Sequence, residues 1–250
     1  MDFFWLLVAG FFVIALVYAS VGFGGGSSYL ALLALSVFAI PFPLMRVTAL
    51  CCNLVVVAGG LWIFYRQGKL SWRQSWPLFA GSVPLAYFCA RFPLREQVFF
   101  MVLGCTLAVA AVALWSQERW TKEGTVVAET RVRKFFLGAG IGALSGLVGI
   151  GGGIFLSPVL HFFGWLDARR IAALASAFIF LNSLSSLAGL ALQGVPDFTW
   201  AFVLPLLAAV FLGGQIGSRL AARWISVVFI RKLTAVLLFV AAINILADRL

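Results

Sequence analysis

Three consecutive glycines interrupt a long apolar run twice in this chain, at Gly24-Gly25-Gly26 and Gly151-Gly152-Gly153. Each triplet closes a fuller motif, Gly22-Phe23-Gly24-Gly25-Gly26 and Gly149-Ile150-Gly151-Gly152-Gly153, and the two motifs stand 127 residues apart, about half the chain. Three glycines in a row lack the side chains that favour a helix and tolerate unusual backbone angles. The flanking residues are apolar enough to sit in hydrocarbon, where freed backbone groups must face protein, water or a ligand. A helix broken in corresponding places of two halves is a pointer to the binding region of a transporter. The alternative is close helix packing through small residues.

The solvent is fixed by composition: 63% of the residues are hydrophobic and 10% charged, against about a quarter charged in soluble domains. The expected fold class is therefore all-α, a polytopic membrane protein built as two inverted homologous repeats with glycine-broken helices. The repeats are residues 1–116 and 135–250, joined by a charged linker at 117–134, and the whole is one membrane domain. A second echo supports the duplication. Asn53 precedes Gly60-Leu61 by the spacing at which Asn182 precedes Gly189-Leu190, at an offset of 129.

Along the chain, apolar segments are expected at 3–19, 27–40, 47–65, 74–90 and 97–116. After the linker they recur at 135–148, 154–165, 171–192, 200–218 and 228–247. Residues 3–40 are too long for one straight span, so each broken segment reads as two short passages or as two half-helices meeting at depth. Five passages per half would invert the second half. The charges agree. Residues 66–73, 117–134, 167–170 and 219–232 hold fourteen of the eighteen Lys and Arg, with only Arg46, Arg91, Arg95 and Arg249 elsewhere. That bias places those segments in the cytoplasm and both termini outside. The net charge of +10 accordingly reads as topology signal and contact with anionic lipid, with no nucleic-acid partner. Nine aromatics, among them Trp5, Tyr18, Trp62, Tyr65, Trp165 and Trp224, fit an interfacial belt. Cys51, Cys52, Cys89 and Cys105 have no metal-ligand spacing and read as packing residues, and no metal or cofactor is expected.

Catalysis is poorly served. All eight carboxylates, Asp2, Glu96, Glu118, Glu123, Glu129, Asp167, Asp197 and Asp248, map at or beyond span ends, and His161 is the single histidine. Neither a catalytic constellation nor a core proton-relay carboxylate is visible, so the chain reads as no enzyme. Neutral donors remain. A helix starting after each glycine triplet offers unpaired N–H groups and a positive dipole end, which suit an anion. The candidate binding residues are Gly24, Gly25, Gly26, Ser27, Ser28 and Asn53 in the first half, with Gly151, Gly152, Gly153, Ser157 and Asn182 in the second. Asn53 and Asn182 are expected at matching places, either as ligands or as an interhelical clamp. The serines serve either the site or helix caps. Gly138, Gly140, Gly142 and Gly146 suit tight helix contact.

The motifs Val21-Gly22-Phe23-Gly24-Gly25-Gly26 and Gly146-Leu147-Val148-Gly149-Ile150-Gly151-Gly152-Gly153 make the chain resemble the sulfite exporter TauE/SafE family over nearly its whole length. Asn53, Asn182 and the Gly213–Gly217 segment fit that duplicated plan. The resemblance implies a bacterial inner-membrane permease for small anions such as sulfite and organosulfur compounds. The other expectation kept open is an ion-coupled or channel-like carrier of a different small solute, with sodium or a proton as coupling ion. Self-association into a homo-oligomer also stays open.

Overall fold

The structure, a computed structural model, describes residues 2–20, 22–34, 40–120, 130–194, 200–220 and 227–249. Val21, Glu123, Glu129, Asp197 and Trp224, all named above, lie outside them. The described residues form ten α-helices and no strand. The first five are α1 (Asp2–Ala19), α2 (Gly26–Leu33), α3 (Phe42–Arg66), α4 (Trp72–Ala90) and α5 (Glu96–Trp120). The second five are α6 (Arg131–Val148), α7 (Gly153–Phe163), α8 (Ala168–Ala191), α9 (Trp200–Leu220) and α10 (Val227–Arg249). Apolar stretches of α3, α5, α8 and α9 are long enough to cross a membrane, and those of α1, α7 and α10 are shorter.

Boundaries follow the apolar runs with three differences, the first being that α2 ends at Leu33, short of the expected 40. Helix α3 begins at Phe42, five residues before the expected start, because Pro43 falls in the first turn, where its missing N–H has no intrahelical partner to lose. Helices α5 and α6 extend into the expected linker, to Trp120 and from Arg131. Charged residues do not oppose helix once they lie beyond hydrocarbon, and the Thr130 side chain caps α6 by accepting from the Arg133 N–H. Asp167 caps α8 in the same way, accepting from Arg170 N–H at 2.9 Å, and that bond holds its carboxyl below the ordinary value.

At the first glycine break the chain turns back. Phe11 stacks on Tyr29 with centroids 4.7 Å apart, the Tyr18 and Ser28 hydroxyls lie 2.6 Å apart, and Gly10 faces Leu32. Helix α2 therefore runs antiparallel along α1. Tyr18, expected in the interfacial belt, is buried at 1% exposure by this hairpin. Trp5, Trp62, Tyr65, Trp72, Trp76 and Trp200 are exposed, as belt residues would be.

Helix contacts come in swapped couples: α1 with α9 and α4 with α6; α2 with α10 and α7 with α5; α3 with α9 and α8 with α4. Advancing each label by five carries one member of a couple to the other, while α3–α8 and α5–α10 map onto themselves. In the α3–α8 pair Gly60 lies beside Ser176, whereas Val47 and Leu50 cluster with Leu187 and Leu190, so these two helices run antiparallel.

Small residues set the closest approaches. A Cβ on Gly138, Gly142 or Gly146 of α6 would collide with the backbone of Leu78, Ser82 or Ala86 of α4. Gly213 and Gly217 of α9 press equally on the Phe12 and Leu16 carbonyls of α1. Gly142→Leu is expected to destabilise the fold by about 3 kcal/mol or more, since helix backbones rather than a flexible side chain must move. Gly140→Leu, where a Cβ meets nothing within 4 Å, is expected to stay within about 0.5 kcal/mol. Thermal unfolding of the two purified variants separates these outcomes.

Candidate functional site

Both breaks arrive at the middle of α3. The Asn53 side chain is completely buried there, and a Cβ on Gly24 or Gly26 would collide with its amide. A Cβ on Gly151 would sit 2.9 Å from Asn53 Nδ2 and 3.0 Å from Ser183 Oγ. Asn53 Nδ2 donates to the carbonyl of Ile150 at 3.0 Å, inside the second glycine motif. One amide thus touches both halves of the molecule. Across from it Ile179 of α8 meets the same turns, closing on Gly24, Gly151 and Gly153.

The amino ends of α2 and α7 open at this crossing. Their N-cap residues are Gly25 (φ 82°) and Gly152 (φ 79°), both left-handed, a conformation that costs a residue with Cβ roughly 1–2 kcal/mol. Neither helix has a side-chain cap. Two uncapped helix starts therefore lie against the centres of α3 and α8.

Three polar atoms beside the glycine turns are buried without a protein partner, Asn53 Oδ1, Ser145 Oγ and Ser183 Oγ, and Thr48 Oγ1, Asn182 Oδ1 and Ser186 Oγ are further such atoms along α3 and α8. A buried polar group left unpaired costs about 1–3 kcal/mol, so such a cluster needs an explanation, and a polar solute is one. Ser145 adjoins Gly152, and Ser183 adjoins Gly151.

The other expected site residues fall as follows. Gly24, Gly26, Gly151 and Asn53 meet directly, and Gly153 joins them through Ile179. Gly25 faces Ile14 and the Tyr29 ring, and Gly152 faces Phe178 and Ile141. Ser27 lies in the first turn of α2 and is buried. Ser28 is engaged by Tyr18 rather than by the crossing. Ser157 is buried within α7, a turn beyond its start.

Asn182 is a correction. The residue that occupies on α8 the place of Asn53 is Ile179, at an offset of 126, and Asn182 lies nearly one turn further on. Its Nδ2 donates to Phe178 O at 2.9 Å within its own helix. Other contacts keep the offset of 126. Gly149 packs on Arg46 and Leu50, while Gly22 packs on Ala172 and its carbonyl accepts from Ser176 Oγ at 3.0 Å. The Asn-to-Gly spacing echoes between the halves, but packing against the glycine turns sets a different register.

That register singles out Arg46, whose counterpart is Ala172. Expected as a boundary charge on the outer face, Arg46 is buried at 3% exposure beside Gly149. Its Nη2 donates to Gly146 O at 2.9 Å and to Ala90 O at 3.4 Å, near the carboxyl ends of α6 and α4. The guanidinium carbon lies 5.8 and 5.9 Å from the Phe42 and Phe99 ring centroids, and Nε has no partner. Among the described residues no carboxylate neutralises it. A charge buried in a membrane segment is a functional candidate by default. The available signal was an arginine between Leu44-Met45 and Val47, followed by nineteen uncharged residues.

A family model described as Sulfite exporter TauE/SafE matches residues 6–245. The Probable membrane transporter protein y4hK of Sinorhizobium fredii is 36% identical over 248 residues, covering 96% of this chain and 97% of that one. No solved structure matches.

Proposed function

This chain belongs to the sulfite exporter TauE/SafE family of membrane transporters, and we propose that it is a permease for small anions, sulfite and sulfonates foremost, working by alternating access. The observation that carries the proposal is the meeting of two uncapped helix starts and their glycine turns with Asn53 and Ile179, beside unpartnered polar atoms of Asn53, Ser145 and Ser183. Helix starts favour anions by about 0.3–1 kcal/mol each, and up to about 2 when partly buried. Hydroxyls of Ser145 and Ser183 can donate, an amide can turn its N–H end to a ligand, and Arg46 adds a full positive charge beside the second break.

Alternating access draws support from the arrangement of the helices. The swapped couples and the antiparallel α3–α8 pair are what two inverted repeats, 1–116 and 135–250, would produce. In this conformation the crossing is closed, with Phe178 and Ile141 on Gly152 and Tyr29 and Ile14 on Gly25. Transport then requires the two halves to open it to one side at a time. The charge bias supports an inner-membrane protein with both termini in the periplasm and anionic lipid at its basic face. Nothing in this reading calls for catalysis.

A second reading, coupling to sodium, rests on Asn53 Oδ1, a buried acceptor without a donor. Such an oxygen with neighbouring carbonyls suits a cation. Proteoliposomes separate these readings. Labelled sulfite, thiosulfate and methanesulfonate are offered with and without a sodium gradient. Saturable anion flux that Asn53→Leu reduces at least about tenfold supports the main reading, and sodium dependence adds the second. Absence of flux of any anion through folded protein overturns both.

A further inference from the structure

A second charged site lies at one end of the bundle, away from the glycine crossing. The turn after α3 and the starts of α4, α6 and α8 enclose a cavity of about 240 Å³ together with the end of α7. That is far more than the ~10–15 Å³ that admits one water. Three cations from three elements line it: Lys69, Lys134 and Arg170. Lys134 is buried at 8% exposure, with Nζ donating to Gln74 O at 2.8 Å, which fixes the start of α6 on the start of α4 and sets the ammonium in the cavity wall. Ser71, Gln74 and Ser75 add neutral donors.

The carboxylate that the described residues place beside this group is Asp167. It is occupied by Arg170, through the backbone N–H at 2.9 Å and Nε at 3.3 Å. Among the described residues, three cations and one carboxylate border this space. Low-dielectric walls concentrate the field of such a cleft. Cations that only set topology need no concavity and stay solvated; here one is buried and all three surround the same space.

We propose that this cavity binds a tetrahedral oxyanion group, a sulfonate, sulfate or phosphate, as a soluble ion or as the headgroup of an anionic lipid. It is separate from the crossing. Its floor of Leu78, Leu160 and Leu174 continues into Phe79, Ile141 and Phe178, and the last two cover Gly152. The same apolar cluster thus borders both the cavity and the second glycine turn. The site stands whichever solute the crossing carries.

The test reads local anion occupancy without transport. Ser71 is exposed, lines the cavity and makes no side-chain cap bond, so Ser71→Cys leaves α4 intact. Gln67→Cys is the control, an exposed position between Arg66 and Lys69 that is not among the cavity-lining residues. Both are reacted in nanodiscs with an anionic sulfonatoethyl and a cationic trimethylammonioethyl methanethiosulfonate, against the unsubstituted chain as background. The anionic-to-cationic rate ratio is expected to be about tenfold higher at Ser71→Cys than at Gln67→Cys. Lys134→Gln should remove that excess; should that variant fail to fold, Lys69→Gln, at a half-buried side chain, should lower it severalfold.

In zwitterionic lipid, methanesulfonate or inorganic phosphate should slow the anionic reaction saturably at Ser71→Cys alone, which identifies a soluble occupant. Slowing by phosphatidylglycerol without added anion identifies a lipid headgroup. Equal ratios at the two positions overturn the proposal. So does a raised ratio with no saturable slowing by methanesulfonate, phosphate or phosphatidylglycerol, which is a basic surface without a site.

Discussion

Gly152→Leu is expected to abolish anion flux while the protein still inserts and purifies as a folded particle. The residue has φ 79°, where a side chain costs roughly 1–2 kcal/mol. Its Cβ would stand 2.9 Å from the Phe178 ring and 3.0 Å from Ile141, and overpacking of this kind costs about 1–3 kcal/mol more. The sum, about 2–5 kcal/mol, is concentrated at the turn where α7 begins. It is smaller than the stability of many folded proteins, about 5–15 kcal/mol, and leucine favours insertion of an apolar segment. Gly25→Leu repeats the experiment in the first half, where Cβ would meet Ile14 and the Tyr29 ring at 3.0 Å. Gly164→Leu is the control. That glycine is also left-handed, at φ 63°, but a Cβ there meets nothing within 4 Å. It should therefore lose stability by the strain alone and keep its flux. Flux assays paired with thermal unfolding check all three, and normal kinetics in Gly152→Leu and Gly25→Leu would remove the glycine turns from the mechanism.

Arg46→Gln is expected to raise the KM for anion flux at least about tenfold, with Arg46→Lys between it and the unsubstituted protein. The cost follows from charge. An anion about 5 Å from a guanidinium gains roughly 3 kcal/mol at an effective dielectric of 20, worth about a hundredfold in affinity, and partial screening makes tenfold the floor. A purely structural Arg46 would behave differently. Its hydrogen bonds to the Gly146 and Ala90 carbonyls clip α3 to the ends of α6 and α4, and glutamine can still donate one such bond. Loss of thermal stability with unchanged KM in the surviving protein would assign Arg46 to that clip alone.

Much of the architecture is legible because the bilayer imposes it. Apolar runs must become helices in hydrocarbon, and glycine triplets must interrupt them, so eight of the expected segments map onto α1 and α4–α10 to within a few residues. What could not be read are the features set by neighbours far away in sequence. Arg46 looked like a boundary because a charge usually ends a span. It is buried because two other helices bring their carbonyl ends to it, 44 and 100 residues away. Tyr18 looked interfacial until the hairpin folded Ser28 against its hydroxyl.

The asparagines teach the same lesson about register. Asn53 was identifiable as a polar residue in an apolar helix, and it does hold the crossing. Asn182 carries the same chemical signature, yet it bonds within its own helix because Ile179 takes the place against the glycine turns. A three-residue shift on a helix is nearly a full turn, enough to keep a side chain on the same face and still move it out of contact. Sequence echo fixes chemistry and approximate depth; packing decides which residue arrives.

The most direct measurement is anomalous diffraction from crystals of the protein grown with selenite, whose selenium marks a sulfite-like oxyanion. A peak between Gly26 and Gly153, within hydrogen-bonding distance of the Asn53 amide, is the predicted result. Selenium confined to the basic cavity around Lys134, or none at all with both glycine turns sealed on Asn53 and Ile179, would contradict an anion pathway through the crossing.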